Sequence, residues 1–325
     1  MTLRWGILGT GGIARRFTTD LLLTGHAVTA VGSRTRENAE RFAARFDLAA
    51  AHGSYESLVA DPSVDIIYVA TPHPWHYPHA TLALNAGKHA LVEKPFTLNA
   101  TEAHRLVTLA ADRGLLVLEA MWTRWLPHMV RLREIVAAGT IGDIRSMSAD
   151  HTQLLPSDPG HRLNALDLGG GALLDLGVYP VSFASQLFGA PQSIQAMATF
   201  KETGADAQVA TIFRYAGGQI ATTYSASTTQ GPNVAAVLGT EGRIEIDSIW
   251  YAPTSLRVYD GAGTLIQDSR PSVEGSGRQF QAAEAERLVS EGRIASAILP
   301  PEETVAVMTT LDQIREQIGL RYPAE

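Results

Sequence analysis

The sequence contains no cysteine. This absence excludes disulfide bonds, catalytic thiolates and metal sites with cysteine ligands. The chain also lacks a surplus of basic residues, because 26 lysines and arginines stand against 33 aspartates and glutamates. A net charge of -7 argues against a nucleic-acid-binding protein, which usually carries a basic surface. We therefore expect a small-molecule partner and no nucleic acid.

Long apolar segments are missing as well. No uninterrupted apolar stretch is long enough to span a bilayer. The N-terminus enters a strand pattern at Leu3 without the basic and apolar regions of a secretory signal. We therefore expect a cytoplasmic protein with no membrane partner.

A glycine motif follows the first predicted strand, Gly9-Thr10-Gly11-Gly12-Ile13-Ala14. Gly9 permits a tight turn, Gly11 lets the backbone approach a pyrophosphate, and Ala14 allows the next helix to pack closely on the strand. The amide groups at the helix start then face the phosphates. The glycines could serve a turn alone, but a second strand over residues 27–32 favours a dinucleotide site.

The second strand ends in Ser33-Arg34-Thr35-Arg36, with no acidic residue before Glu37. An acidic residue at this point would bind the ribose hydroxyls of NAD, whereas a hydroxyl and a guanidinium suit the 2′-phosphate of NADP. The alternative is that Arg34 and Arg36 only solvate a loop. We predict NADP, with NAD less favoured.

A lysine marks the end of another strand. The apolar run Ala90-Leu91-Val92 predicts a buried strand that stops at Glu93-Lys94-Pro95, because proline cannot donate to a sheet. Lys94 then lies at the carboxyl end of a parallel strand, where open α/β sheets bind ligands. Taken alone, the tripeptide favours a surface lysine in a loop, and only the motifs before and after it favour a ligand site.

Three glycines, 169–171, precede a helical pattern that carries Asp175 and Tyr179 on one face. Free tyrosine, with a pKa of about 10, is a poor acid or base at neutral pH, but a neighbouring ammonium favours the phenolate. Lys94 and Tyr179 are thus a candidate proton-transfer pair for an alcohol or carbonyl. Tyr179 could also be a core aromatic, whereas Asp175 on an apolar face needs a partner.

Three histidines follow the strand that ends in Thr71-Pro72, at positions 73, 76 and 79. Two prolines interrupt this segment and no carboxylate is close, so we predict no metal site there. We assign His76 to the edge of the cofactor or substrate site and expect His73 and His79 to face solvent.

The 325 residues are enough for two domains. Up to residue 122, short apolar strands alternate with helical patterns, which predicts a doubly wound parallel sheet. Strands of period two then dominate and predict an open, mostly antiparallel sheet, covered by helices over 172–187, 280–290 and 302–318. We predict an α/β protein with an N-terminal Rossmann domain (1–122) and a C-terminal α+β domain (123–325) for substrate binding and oligomerisation.

In this order, the motifs resemble the Gfo/Idh/MocA (glucose–fructose oxidoreductase/inositol dehydrogenase) family over nearly the whole chain. The matching segments are residues 9–14, 70–72 with His76, 86–95 and 169–179. The resemblance implies nicotinamide-dependent hydride transfer. It also implies a set of cofactor-binding residues: Gly9, Gly11, Gly12, Ile13, Ser33, Arg34, Thr71, Pro72, His76, Glu93 and Lys94.

The family's catalytic positions fall on Lys94, Asp175 and Tyr179 of this sequence. Many members carry histidine at the last position. Tyrosine there, with the segment Glu119–Arg124, is most similar to the dimeric dihydrodiol dehydrogenase and NADP-dependent D-xylose dehydrogenase branch. In this interpretation Tyr179 transfers the proton, Lys94 orients the oxygen and tunes Tyr179, and Asp175 positions them. Trp122 and Arg124 are candidates for lining the substrate pocket.

We therefore predict an NADP-dependent oxidoreductase that acts on a sugar, a vicinal diol or the corresponding carbonyl. The alternative is a noncatalytic NADP(H)-binding sensor, since a fold does not fix function. A homodimer or higher homo-oligomer through the C-terminal sheet is expected, because the strand over 219–226 carries no charge on either face.

Overall fold

A computed structural model describes residues 3–323 and residue 325 of the chain. The chain folds into two units that each consist of two segments. The first unit is Met1–Trp122 with Glu274–Val305, and the second is Thr123–Val273 with Ala306–Glu325.

Buried apolar strands form a parallel sheet in the first unit. Its strands are β1 (Arg4–Leu8), β2 (Ala27–Gly32), β3 (Ala50–His52), β4 (Ile66–Val69), β5 (His89–Glu93) and β6 (Val117–Ala120). They lie in the order β3-β2-β1-β4-β5-β6, and every neighbouring pair is parallel. This is the predicted doubly wound topology. Strand β3 was not predicted, because its three residues are too short to show a period.

Strands of period two form a mixed sheet in the second unit. Its members are β7 (Ile144–Thr152), β8 (Ser193–Phe200), β9 (Asp206–Arg214), β10 (Ile220–Ala226), β11 (Ala235–Gly239), β12 (Gly242–Ile246), β13 (Leu256–Asp260) and β14 (Leu265–Ser269). The order is β14-β13-β12-β11-β7-β10-β9-β8. Only the β7–β10 pair is parallel, so the prediction of a mostly antiparallel sheet is confirmed.

The helices follow the predicted signals closely. They are α1 (Gly12–Leu23), α2 (Arg36–Phe46), α3 (Tyr55–Val59), α4 (His76–Asn85), α5 (Ala100–Arg113), α6 (Pro127–Ala137), α7 (Val178–Phe188), α8 (Gln279–Ser290) and α9 (Pro301–Ile318). The side chains of Thr35, Ser54 and Asn99 cap α2, α3 and α5 by accepting backbone N–H bonds. Within the described part of the chain, no helix combines the length and apolarity needed to cross a bilayer.

The sheet of the second unit has two unlike faces. Helix α7 packs on β7 and β10, and the face of β10 that carries Ala221, Thr223 and Ser225 is buried. The other face carries exposed apolar side chains, among them Ile212 on β9, Ile220 on β10 and Leu238 on β11. The predicted open sheet is therefore confirmed.

Helix α8 lies elsewhere than its sequence pattern suggested. It was expected to cover the antiparallel sheet, but it packs against α1 in the first unit. Asp20 of α1, which is buried, accepts hydrogen bonds from the backbone N–H groups of Ser276 and Arg278, both at 3.0 Å, and from the Ser276 hydroxyl. A contact over about 256 residues of sequence separation leaves no local pattern from which it could be predicted.

Candidate active site

The turn after β1 requires glycine. Gly9 has a φ of +111°, and a Cβ there would lie 2.9 Å from the Ala70 carbonyl oxygen. Its backbone N–H donates to the Gly32 carbonyl at 2.9 Å. The turn is thereby held between the ends of β2 and β4, as the motif predicted.

The start of α1 is open to a ligand. Gly11 is the N-cap residue, no side chain caps the helix, and a Cβ at Gly11 would meet nothing within 4 Å. Gly12 is exposed and Ile13 is half-buried, whereas Ala14 is fully buried against the sheet. The uncapped N–H groups of the first turn and the unfilled space at Gly11 fit a dinucleotide pyrophosphate.

The end of β2 presents a cation. Ser33 is buried, and its N–H donates to the His52 carbonyl at 3.1 Å. Arg34 is exposed and makes no ion pair or hydrogen bond with any residue in 3–323. Its guanidinium is thus available to an anion bound beside α1.

His76 joins two turns at the same edge of the sheet. It is fully buried, with Nδ1 2.7 Å from the Pro95 carbonyl oxygen and Nε2 2.8 Å from the Thr71 carbonyl oxygen. Burial lowers the pKa of His76 to about 4, so the ring is neutral near pH 7. The neutral ring carries one N–H, so it donates to one of the two carbonyls and only contacts the other, and through these contacts His76 positions the turns at Thr71-Pro72 and Pro95.

The expectation that His73 and His79 face solvent is wrong. His73 is only 4% exposed, and the half-buried His79 places Nδ1 3.0 Å from the Thr71 hydroxyl. The local sequence gave no sign of this, because their burial depends on how α4 packs.

Glu93 organises the turn that carries Lys94. The carboxylate is buried and accepts hydrogen bonds from the Tyr68 hydroxyl and, at 3.2 Å, from the Lys94 backbone N–H. Burial raises the pKa of Glu93, and the charges of Lys94 and Arg278 and the Tyr68 hydroxyl oppose that shift. Lys94 itself is half-buried at the end of β5. The strand stop predicted at Pro95 therefore places Lys94 at the edge that also holds Gly9 and Thr71.

Trp122 is buried at 6% exposure, and the Arg278 guanidinium lies 4.2 Å from its ring centroid. Arg124, in the second unit, has a different environment. The residue is 2% exposed, and its guanidinium donates to the Ser182 hydroxyl at 3.0 and 3.1 Å and to the Ser182 carbonyl at 2.7 Å. These bonds tie Arg124 to α7, and the assignment of Trp122 and Arg124 to the substrate pocket stays a prediction.

The glycines before Asp175 are fixed by a buried carboxylate. Gly169 and Gly171 have φ values of +70° and +140°, and a Cβ at Gly171 would collide with Asp206. Asp206 is fully buried and accepts a 2.6 Å bond from the Leu173 N–H. Burial raises the pKa of Asp206 to about 6, against this bond. Asp206 thus caps the segment that leads to Asp175.

That segment begins as a π-helical turn, Leu173–Gly177, and continues as α7 from Val178. An uninterrupted helix from Ala172 was expected, so this detail of the prediction is wrong. Asp175 lies in the π turn with 7% exposure, and the Arg162 guanidinium is 3.6 Å from its Oδ1. Single π turns are frequent at functional sites.

Tyr179 belongs to an aromatic cluster of the second unit. Its ring centroid lies 4.9 Å from that of His151 and 5.5 Å from that of Tyr251, and His151 stacks on Tyr251 at 3.6 Å. Gln153 Nε2 is 2.9 Å from His151 Nε2. Burial raises the pKa of Tyr251 to about 12, so this neighbour stays protonated at neutral pH.

Sequence reasoning missed His151, Gln153 and Tyr251. His151 and Gln153 lie at the end of β7, and Tyr251 lies in the loop before β13. The one available signal was a histidine at an inward position of a strand, which does not show what it faces. The structure brings the predicted cofactor residues to one edge of the first sheet, and it places Asp175 in the π turn and Tyr179 in the first turn of α7 in the second unit. The pairing of Lys94 with Tyr179 stays a prediction.

Two family models match the chain. Residues 3–121 match a model described as "Oxidoreductase family, NAD-binding Rossmann fold", and residues 129–245 match one described as "GFO/IDH/MocA C-terminal domain".

Named relatives extend over the full length. The chain is 37% identical to the trans-1,2-dihydrobenzene-1,2-diol dehydrogenase of Mus musculus, covering 100% of this chain and 99% of that protein. It is 35% identical to the D-xylose 1-dehydrogenase (NADP(+)) of Hypocrea jecorina, covering 99% and 93%. Among solved structures, a tyrosine-to-phenylalanine mutant of a 3-ketoreductase from Actinomadura kijaniata, in complex with TDP-benzene and NADP, is 26% identical with a TM-score of 0.86 over 98% of both chains.

The raised pKa of Asp206 generates a prediction about stability. Asp206 has a pKa of about 6 when folded and the ordinary 3.8 when unfolded, so the folded state binds the proton more tightly. Its contribution to the free energy of unfolding therefore becomes more favourable as pH falls from 7 through 6 to 4, by about 2 kcal/mol over this range. Asp206→Asn keeps an acceptor for the Leu173 N–H but cannot titrate. We expect the unfolding free energy of the native protein to rise relative to this variant as pH falls, measured by urea titration.

The comparison isolates the titration of Asp206. Buried neutral histidines such as His76 and His128 have lowered pKa values, so they reduce the stability of the native protein and of the variant alike in acid. A difference between the two proteins that stays constant from pH 7.5 to 4.5 would contradict the assignment.

Proposed function

The chain belongs to the GFO/IDH/MocA family of oxidoreductases, and on that basis we propose that it is an NADP-dependent dehydrogenase or reductase of a sugar, a vicinal diol or the corresponding carbonyl. The observation that carries the proposal is full-length similarity to a diol dehydrogenase and a D-xylose dehydrogenase. We assign the catalytic positions to Lys94, Asp175 and Tyr179.

The residues of the first unit fit NADP. The uncapped start of α1 at Gly11 and Gly12 suits the pyrophosphate, and the unpaired Arg34 with Ser33 suits the 2′-phosphate. When bound, NADP supplies a nicotinamide ring that accepts or donates a hydride. We assign Thr71, Pro72, Glu93 and Lys94 to the cofactor site, with His76 holding the two turns in place.

Residues of the chain transfer the substrate proton and orient the substrate oxygen. Tyr179 transfers the proton to or from the substrate hydroxyl, and the Lys94 ammonium orients the substrate oxygen and favours the phenolate of Tyr179. Asp175, with Arg162 beside it, positions this group. The His151–Tyr251 stack fixes one side of the Tyr179 ring and gives the substrate an apolar wall.

Turnover separates this proposal from a noncatalytic sensor. We expect NADP reduction, followed by absorbance at 340 nm, with at least one compound in a panel of aldoses and trans-diols, and NADPH oxidation with the matching carbonyl. Tight NADP binding without turnover of any compound in the panel would favour the sensor. A cytoplasmic location stays a prediction from the sequence.

Arg34 is predicted to select NADP. Removal of one charged hydrogen bond to phosphate costs about 1.5–3 kcal/mol, so Arg34→Ala should weaken NADP binding about 10- to 150-fold and leave NAD binding nearly unchanged. Isothermal titration of both cofactors measures this. Arg36→Ala is the matched control, because Arg36 is exposed and pairs with Glu40 at 2.7 Å. Equal affinities of the native protein for NADP and NAD would contradict the hypothesis that Arg34 selects NADP.

Tyr179 and Lys94 are predicted to act as a unit. Tyr179→Phe removes only a hydroxyl, so the fold and NADP binding should persist while kcat falls about 10²- to 10⁴-fold. Lys94→Met should fall comparably, and the double variant should be little worse than either single variant.

Tyr215→Phe is the control, since it makes the same change at a buried tyrosine outside the cluster. If Tyr179→Phe retains near-native turnover while Lys94→Met is inactive, Lys94 carries the proton and Tyr179 only packs.

The open sheet face is the proposed homodimer surface. Ile212, Ile220 and Leu238 are 43–48% exposed and lie on β9, β10 and β11 of one sheet. We expect a dimeric or larger mass by light scattering at micromolar concentration. A charge introduced by Ile220→Glu should shift the protein towards monomer, whereas Ile294→Glu, at an exposed site of the first unit, should not. A monomeric native protein would rule this out.

A further inference from the structure

Three aromatic side chains with no role in the site so far form a cluster in the first unit. Tyr55 begins α3, Trp75 lies in the short helix His73–Trp75, and His79 lies in α4. The rings of Tyr55 and His79 meet edge to face with centroids 4.6 Å apart, and Trp75 lies nearly parallel to His79 at 5.9 Å. Trp75 is 51% exposed, whereas the other four tryptophans are at most 6% exposed. The Trp75 indole therefore has an exposed face and is supported by the His79 ring.

The aromatic cluster lies beside Arg34, the residue proposed to bind the 2′-phosphate. The Thr71 hydroxyl, just after β4, lies 3.0 Å from His79 Nδ1, which fixes the cluster at the carboxyl edge of the sheet. The positive charge of Arg34 acts on both Tyr55 and His79. In NADP the 2′-phosphate and the adenine are attached to neighbouring carbons of one ribose. If Arg34 holds the phosphate, the adenine must lie close to these rings.

The chemistry of the cluster suits a planar base. Burial lowers the pKa of His79 to about 4, so the imidazole is neutral near pH 7. The exposed Glu56 carboxylate raises the pKa of His79 and the Arg34 guanidinium lowers it, but burial has the largest effect. Nε2 of His79 makes no hydrogen bond to residues 3–323, so it can bond an edge nitrogen of a purine. Two aromatic rings and a neutral imidazole offer stacking and one polar contact.

We propose that Tyr55, Trp75 and His79 form the adenine subsite, with the base stacked on the exposed face of Trp75. This inference rests on the proposed NADP dependence and assigns residues for the half of the cofactor that takes no part in hydride transfer. His79 supports the indole and is itself held by Thr71. Stacking of a base on an aromatic side chain changes affinity about 5- to 150-fold on replacement by alanine.

The test uses the full-length protein and two halves of the cofactor. Adenosine 2′,5′-bisphosphate carries the adenine and the 2′-phosphate, and nicotinamide mononucleotide carries neither. We expect the bisphosphate to quench the tryptophan emission of the native protein, and Trp75→Phe to abolish the quenching while binding persists. Trp75→Ala should weaken the bisphosphate and NADP by similar factors of about 5 to 150 and leave the mononucleotide unchanged. Ile294→Ala, at an exposed apolar residue of the same unit, is the control and should match the native protein.

The outcomes separate this inference from the proposed function. If NADP and the bisphosphate bind Trp75→Ala with native affinity, the adenine subsite is wrong and the NADP-dependent activity stands. If the native protein binds NAD and NADP equally and the bisphosphate leaves its emission unchanged, both the subsite and the cofactor assignment are overturned.

Discussion

The parallel pairing of β1 with β2 and β4, and of β4 with β5, is the constraint on which the first unit depends. Parallel strands end at the same edge of a sheet, so residues separated by about 85 positions are delivered to one place. Gly9, Arg34, Thr71 and Lys94 reach that edge because each is the first or second residue after its strand. Backbone hydrogen bonds inside a buried sheet fix this arrangement more firmly than side-chain contacts could.

In the second unit, two polar side chains, Asp175 and Tyr179, lie on an otherwise apolar helical segment. Asp206 caps the turn before Asp175. Gly169 and Gly171, which have positive φ values, give the chain room to approach that carboxylate. Arg124 donates a hydrogen bond to the Ser182 carbonyl of α7. Buried polar groups are costly unless they are bonded, so these interactions make the position of Tyr179 specific.

The parts that could be predicted from the sequence have a local physical cause. The glycine turn, the proline stop after Lys94 and the apolar strands follow from backbone geometry and burial, and the parallel sheet follows from the alternation of strands with helices. The three-residue β3 and the edge strand β14 carry no such pattern. The capping of the Leu173 N–H by Asp206, the support of Tyr179 by His151 and Tyr251, and the packing of α8 on α1 join distant segments, so only the fold shows them. The π turn at Asp175 changes hydrogen bonding without changing the apolar pattern.

The central claim is that this chain moves a hydride between a CH–OH carbon and NADP. The most direct measurement is isotope transfer from substrate labelled with deuterium at that carbon, such as D-xylose labelled at C1 or a ring-labelled trans-dihydrobenzenediol. We predict that incubation with the native protein and NADP yields NADPH carrying one deuterium, detected by mass spectrometry, and that Tyr179→Phe slows its appearance in proportion to kcat. A protein that binds NADP but yields no deuterated NADPH from any labelled aldose or diol would contradict the account.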